Sequence, residues 1–322
     1  REPRALWAVA PGRGETGREL LRPPADADVV VQTLFSGISR GTEALVFGGH
    51  VPQSEWTRMR APFQEGEFSG PVKYGYANVG RVECGPGEIK GRPAFVLYPH
   101  QTRYVVPASA VHVLPADVPP ARAILAANLE TALNGVWDAN PKTGDRVVVI
   151  GAGTVGCLVA WLVSRIQGCD VQLIDVNPQR QRVAQALGVS FVRPDDAMRD
   201  VDIVVHVSGS PEGLQHALDI AAYEATIVEM SWFGDWQVPL ALGGAFHSRR
   251  LTIKSSQVGH VAASQRARWD TRRRMAEALS LLADPALDVL ITGESAFDDL
   301  PDVMARLTQA PGDTLCHRIN YQ

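Results

Sequence analysis

Three glycines and one acid carry the first chemical suggestion in this chain. Gly151, Gly153 and Gly156 stand in the G-x-G-x-x-G spacing, after the β-branched run 147–150 and before the apolar stretch 157–163. Gly151 permits a tight turn, Gly153 a close approach of backbone to a pyrophosphate, and Gly156 close packing of helix on strand. The N–H groups of Thr154, Val155 and Gly156 open a helix whose positive dipole end faces the phosphates. Glycines also punctuate ordinary turns, so the spacing alone is a weak signal. Asp175 strengthens it. This acid ends a second apolar run, 171–174, about twenty residues beyond the glycines, where a dinucleotide fingerprint expects a carboxylate for the adenosine ribose hydroxyls. A carboxylate there also repels a 2′-phosphate, so NAD is expected over NADP. The competing reading is a βαβ crossover that holds no cofactor.

The elements that position these residues follow from the hydrophobic pattern. A strand begins at Val29 and runs into Arg40-Gly-Thr-Glu43. From Tyr74 to Pro115 short β-branched runs alternate with Gly and Pro turns such as Gly85-Pro-Gly87, which predicts a compact β-rich unit. A helical stretch is expected from Pro119 to about Trp137. Strands then alternate with helices: a helix over 178–187, a buried strand over 201–207, a helix over 211–221, and strands over 225–230 and 251–254. That order predicts an α/β fold with a doubly wound parallel sheet. Beyond residue 258 the pattern changes, with a basic segment at 266–274, an apolar helix over 275–282, a helix near 302–307 and a last strand near 315–319.

Composition narrows the partners. The 322-residue chain is long for one domain, and two are expected. Its 45% hydrophobic and 20% charged content is that of an ordinary globular protein. A net charge of −4 argues against nucleic acid. The four cysteines (84, 157, 169 and 316) form no C-x-x-C pair, so neither a disulfide framework nor a zinc knuckle is suggested and a reducing cytoplasm fits. The start, Arg1-Glu-Pro-Arg-Ala5, lacks the apolar core of a signal peptide. The uncharged run 147–164 approaches the length of a membrane span, but its glycine spacing and βαβ context lead to the expectation of no membrane segment.

The order of parts resembles the medium-chain dehydrogenase/reductase family, the zinc alcohol dehydrogenase and quinone reductase group. The resemblance covers nearly the whole chain and rests on Ser36-Gly-Ile-Ser-Arg-Gly-Thr-Glu43, Gly75-Tyr-Ala-Asn-Val-Gly-Arg-Val82, Gly85-Pro-Gly87, Thr131-Ala-Leu133, Lys142-Thr-Gly-Asp-Arg-Val147, the glycine turn and Asp175. The wording of residues 36–43 is similar to the branch holding 3-hydroxyethyl bacteriochlorophyllide dehydrogenase. The resemblance implies a Rossmann domain inserted in a GroES-like β-rich catalytic domain. The expected divisions are 1–127 for the first catalytic part, 128–257 for the NAD-binding domain and 258–322 for the return. It also implies a homodimer formed through edge strands, with residues 248–254 as the pairing strand.

Departures from the family pattern shape the chemistry. Zinc-dependent relatives carry a Cys where this chain has Ser39, a His where it has Tyr76, and a Cys or Glu where it has Ala127. A hydroxyl, a phenol and a methyl cannot assemble a tetrahedral zinc site, so no catalytic or structural zinc is expected. A shifted site using His50, His100 or Glu43 is the alternative. Without the metal, a hydrogen-bond donor or general acid/base must act on the substrate oxygen. Tyr76 is the expected group, with Ser39 beside it; a phenol needs a neighbouring positive charge before it acts as a base near neutrality. The competing reading of Tyr76 is a packing residue.

By the same resemblance Arg40 binds the pyrophosphate, its alternative being an ion pair with Glu43 or Glu67. Thr42 sits near the relay hydroxyl, or is a turn residue. Glu43 replaces an Asp beside the zinc, a place where a structural role competes with catalysis. Thr131 belongs near the nicotinamide, and the backbone at 230–232 and 255–257, with Ser255 and Gln257, holds the carboxamide edge. Ser208, just past the strand that carries His206, joins the cofactor-binding set, while His206 itself reads as a buried, hydrogen-bonded residue and His100 as a satisfied loop histidine. The basic segment reads as a solvated helix face, or as a device for capturing an anionic small-molecule substrate. The expected activity is zinc-independent, NAD-dependent hydride transfer between nicotinamide and a secondary alcohol/ketone pair. A quinone or enoyl reductase, or a catalytically silent NAD-binding sensor, are the rivals.

Overall fold

β-Branched runs and apolar helices sort into two units in the computed structural model, which describes residues 2–322. One unit combines the chain up to Ala127 with Leu279–Gln322; the other is Asn128–Ala278.

In the second unit, Arg146–Ile150, Asp170–Ile174, Ser190–Val192, Val201–His206, Ala221–Glu229 and Thr252–Ser255 form one six-stranded sheet. Every pairing is parallel, and in chain order the strands lie third, second, first, fourth, fifth, sixth. The winding therefore reverses between Arg146–Ile150 and Val201–His206, and ligands bind at such a reversal in doubly wound sheets. Helices cover both faces of a parallel sheet, which is why Val147, Val148 and Val149 are all fully buried instead of alternating with polar residues. The helix Pro211–Ile220 repeats Leu214, Ala217 and Leu218 at helical spacing and packs them with Val204 and Ile227. Burial of each large aliphatic side chain here contributes about 1.5–3 kcal/mol. Pro211 at the first helical position and Ser210, whose hydroxyl accepts from Gly213 N–H, fix where this helix starts.

The first unit is built on the long strand Asp28–Ile38. It pairs antiparallel with Asn78–Cys84, Arg103–Pro107 and Cys316–Asn320. Through the last pairing, with Ile319 opposite Ser36, the C-terminal segment joins the N-terminal sheet. Val29, Val31, Val82, Val96 and Tyr104 fill one core. The helices Arg40–Gly48 and Leu300–Gln309 fill another, burying Phe47, Leu300 and Met304 with Ile38 and Ile319.

Two local expectations need correction, and one hairpin was not foreseen. The helical stretch from Pro119 is two helices, Pro120–Ala123 and Ala126–Ala139, separated at the fully buried Ile124 and Leu125. The hairpin Arg4–Ala10/Arg13–Arg18 escapes sequence reading because its second strand, RGETGR, has no apolar alternation. The return to the first unit begins at Leu279 rather than at residue 258. Arg274 explains this: its buried guanidinium donates to Glu130 (3.0 Å), to Asn134 (2.7 Å) and to the Val258 carbonyl (2.6 Å), tying the segment to helix Ala126–Ala139. The solvated reading of the basic segment holds for Arg266, Arg268, Arg272 and Arg273, which are exposed, Arg273 lying over Trp269 at 3.8 Å, while Arg274 is withdrawn from water. Among the described residues no helix is long and apolar enough to cross a membrane.

Candidate functional site

The glycine turn is over-determined by its neighbours. Gly151 has φ +107°, and a Cβ there would lie 2.7 Å from the Ser208 backbone. A Cβ on Gly156 would meet the Gly151 carbonyl oxygen at 1.7 Å. At Gly153 a Cβ would meet nothing within 4 Å, which leaves open the space a phosphate needs. The helix Thr154–Val163 has no side-chain cap at its N-cap Gly153, so its first N–H groups remain available to an anion. Asp175 is fastened beside the turn: Oδ2 accepts from Ala152 N–H and Oδ1 from Asn177 N–H, each at 2.7 Å. Each oxygen keeps a lone pair for a ribose hydroxyl. These residues fit a dinucleotide.

The sheet brings several sequence-selected residues to one edge. Gly151, Asp175 and Ser208 follow the carboxyl ends of the first, second and fourth strands, and Ser255 ends the sixth opposite Glu229. Gln257 is exposed and accepts from Gly259 N–H at 2.7 Å. Thr131 stands, half-buried, on helix Ala126–Ala139.

In the other unit the strand Asp28–Ile38 ends at Ser39, the N-cap of helix Arg40–Gly48. Glu43 lies in the first turn and reaches back to Ser39 N–H (2.8 Å) through Oε1. Its Oε2 accepts from His100 Nε2 (2.7 Å), and His100 Nδ1 pairs with Ser36 Oγ (2.7 Å), which in turn pairs with Tyr321 OH (2.9 Å). Ser36, Glu43 and His100 are buried. An ionised Glu43 fixes the proton on Nε2, so one continuous donor chain runs Tyr321 to Ser36 to His100 to Glu43.

Tyr76 is half-buried beside this network, hydrogen-bonded to the Ser39 and Thr42 side chains. Burial, and then the Glu43 charge, pushes its phenol up to about 12, against the pull of those two hydrogen bonds. The positive neighbour that would make Tyr76 a base is replaced by a negative one, so the phenol stays a donor at neutral pH. The structure thus gathers Ser39, Thr42, Glu43 and Tyr76, joins to them His100, which fits its reading as a satisfied loop histidine, and adds Ser36 and Tyr321, which sequence reasoning did not select. A histidine in an apolar β-rich stretch was the available signal; its partner 57 residues away was not visible. Glu67, one acid proposed for Arg40, pairs with Arg60 instead.

The resemblance places zinc ligands at residues 39, 76 and 127. Ser39, Tyr76 and Ala127 supply no thiolate, imidazole or carboxylate. His100 and Glu43 hold each other, and among the described residues no group of three or more His, Cys, Asp and Glu side chains is placed to hold a metal.

Comparison with known proteins agrees with this geometry. The family model for ketopantoate reductase PanE/ApbA matches residues 147–220, the glycine turn and the strands around it. The chain is 31% identical over 139 residues to 2-dehydro-3-deoxy-L-galactonate 5-dehydrogenase of Pseudoalteromonas atlantica, covering 40% of each chain. It is 30% identical over 210 residues to 2-desacetyl-2-hydroxyethyl bacteriochlorophyllide A dehydrogenase of Rhodobacter capsulatus, covering 61% of this chain and 63% of that one. The matches thus span between 40% and 63% of these relatives' lengths. A putative zinc-binding dehydrogenase from Sinorhizobium meliloti, solved bound to NADP, shares the fold over 100% of both chains with a TM-score of 0.79 at 18% identity. The chain has the fold of a GroES-like domain combined with a Rossmann domain, and its homologues are zinc-type alcohol dehydrogenase-like members of the medium-chain dehydrogenase/reductase family, bacteriochlorophyllide dehydrogenases among them.

Proposed function

We propose that the protein is a zinc-independent, NAD-dependent oxidoreductase acting on a secondary alcohol/ketone pair. The observation that carries the reading is the glycine turn with Asp175 fastened to it through Ala152 N–H. Bound NAD supplies the hydride acceptor, and NADH the donor. Asp175 favours NAD because a second negative charge at the ribose 2′ position would face a carboxylate, even though a relative of the same fold was solved with NADP. The hydroxyl, phenol and methyl at the former ligand positions support the metal-free part.

Within the chain the proton work falls to Tyr76. Its phenol, protonated at neutral pH, donates from Oη to the substrate oxygen in the direction of reduction. Ser39 and Thr42 orient that phenol. Glu43 and His100 hold the Ser39 end of helix Arg40–Gly48. The edge strand Thr252–Ser255 is proposed as the homodimer contact, and the four unpaired cysteines suit a reducing cytoplasm.

Titration of the purified protein with NADH and NADPH, followed by nicotinamide fluorescence, tests the cofactor; tighter NADPH binding sinks the NAD assignment. Elemental analysis tests the second half, where one stoichiometric zinc per chain overturns the metal-free reading.

A further inference from the structure

The cofactor unit buries a second polar cluster that the proposed chemistry does not use. His206 closes the fourth strand and is fully buried. Its Nδ1 pairs with Glu229 Oε2 at 2.6 Å and its Nε2 with Ser208 Oγ at 2.7 Å. Glu229 Oε1 accepts from Ser231 N–H (2.6 Å), and Ser231 Oγ accepts from Gly209 N–H (3.0 Å). Ser208 Oγ accepts from Ser210 N–H (3.1 Å). Helix Pro211–Ile220 is pressed onto this cluster at a glycine: a Cβ on Gly213 would lie 2.6 Å from Ser208 Oγ and 2.8 Å from His206 Nε2. The Phe233 ring lies nearly parallel to the imidazole, 6.3 Å away.

Burying an imidazole and a carboxylate costs free energy that apolar residues would not. What this cluster delivers is one turn, residues 208–210, with Gly209 and Ser210 N–H both held through it. That turn presses Ser208 against Gly151 and lies at the reversal of strand order. In a doubly wound sheet the first three strands serve one mononucleotide and the next three the other. Asp175, after the second strand, serves the adenosine half. The turn after the fourth strand faces the other half.

We propose that His206 is a positioning residue which, through Glu229 and Ser208, sets the 208–210 turn to receive the nicotinamide half of the dinucleotide. The inference rests on the dinucleotide reading above, and half-cofactors separate the two. AMP carries the adenosine half alone, so the test compares Kd for AMP and for NADH by calorimetry in wild type, His206→Ala, His206→Gln and Ser208→Ala. The expected result for His206→Ala is an NADH affinity about tenfold lower with AMP affinity unchanged within about twofold. His206→Gln, which keeps a donor and an acceptor, recovers part of that loss. Ser208 is exposed, so Ser208→Ala keeps the fold if His206→Ala does not, and it repeats the split in smaller measure. Equal losses for AMP and NADH, or none for NADH in either variant, overturn the positioning role. A wild-type protein that binds neither AMP nor NADH overturns the dinucleotide reading and this inference with it.

Discussion

Each unit of the molecule buries a histidine between a glutamate and a serine, but the two arrangements face opposite ways and end differently. In the β-rich unit Nε2 meets Glu43, Nδ1 meets Ser36, and the chain stops at Tyr321 with Ser36, Glu43 and His100 all buried. In the cofactor unit Nδ1 meets Glu229, Nε2 meets Ser208, and the chain stops at an exposed serine against the glycine turn. One network closes on itself and locks a helix N-terminus to a strand. The other opens toward the edge where a ligand is expected. A buried histidine–glutamate pair can therefore be architecture or apparatus, and the end of its hydrogen-bond chain tells which.

The sharpest way to break this comparison is to remove His100. A sealed network leaves Glu43 as an uncompensated buried charge, so His100→Ala is expected to lose about 3–5 kcal/mol in urea unfolding. A loss within about 0.5 kcal/mol, the ordinary effect of a surface change, would show that the network is not sealed.

The second contrast lies within the glycine turn. Gly156→Ala forces a methyl into the Gly151 carbonyl and is expected to cost about 1–3 kcal/mol or prevent folding. Gly153→Ala meets no protein atom, so the thermal midpoint should hold while NADH binding weakens. Equal damage from both substitutions contradicts the open space assigned to the phosphates.

Asp175→Asn sharpens the cofactor side. One amide oxygen still accepts from Ala152 N–H, so unfolding changes little, whereas NADH affinity drops about tenfold or more and the preference over NADPH narrows. An unchanged NADH-to-NADPH ratio removes Asp175 from the ribose.

The smallest effect is a titration. The Tyr76 phenol is raised to about 12 in the folded protein, above its ordinary value near 10. A raised folded value means the unfolded chain loses this proton first. The associated stability is complete below about pH 10 and is lost as pH climbs toward about 12. Tyr76→Phe should flatten that alkaline slope relative to wild type. Glu43→Gln removes the charge that opposes ionisation and should bring the phenol's absorbance change to lower pH. A phenol already ionised near neutrality contradicts its role as donor.

Local chemistry explains what could be read early. G-x-G-x-x-G, Asp175 and alternating apolar runs are short-range patterns, each set by a backbone or a face within a few residues, and they announced the parallel sheet and its turn. The three-residue strand Ser190–Val192 is too short to show a period, and the second hairpin strand too polar. Arg274 looked like one charge in a basic run, and its burial against Glu130 moved the return to the first unit by some twenty residues.

By itself, the sequence carried the glycine spacing, the acid Asp175 at the end of the next strand and the hydroxyl, phenol and methyl of Ser39, Tyr76 and Ala127, because residue identity alone supplies each. Tertiary structure decided the partnerships of His100 with Glu43 and of His206 with Glu229, and the burial that raises the phenol of Tyr76. Such pairs join strands and helices far apart in the chain, and a buried charge takes its meaning from what the fold packs beside it.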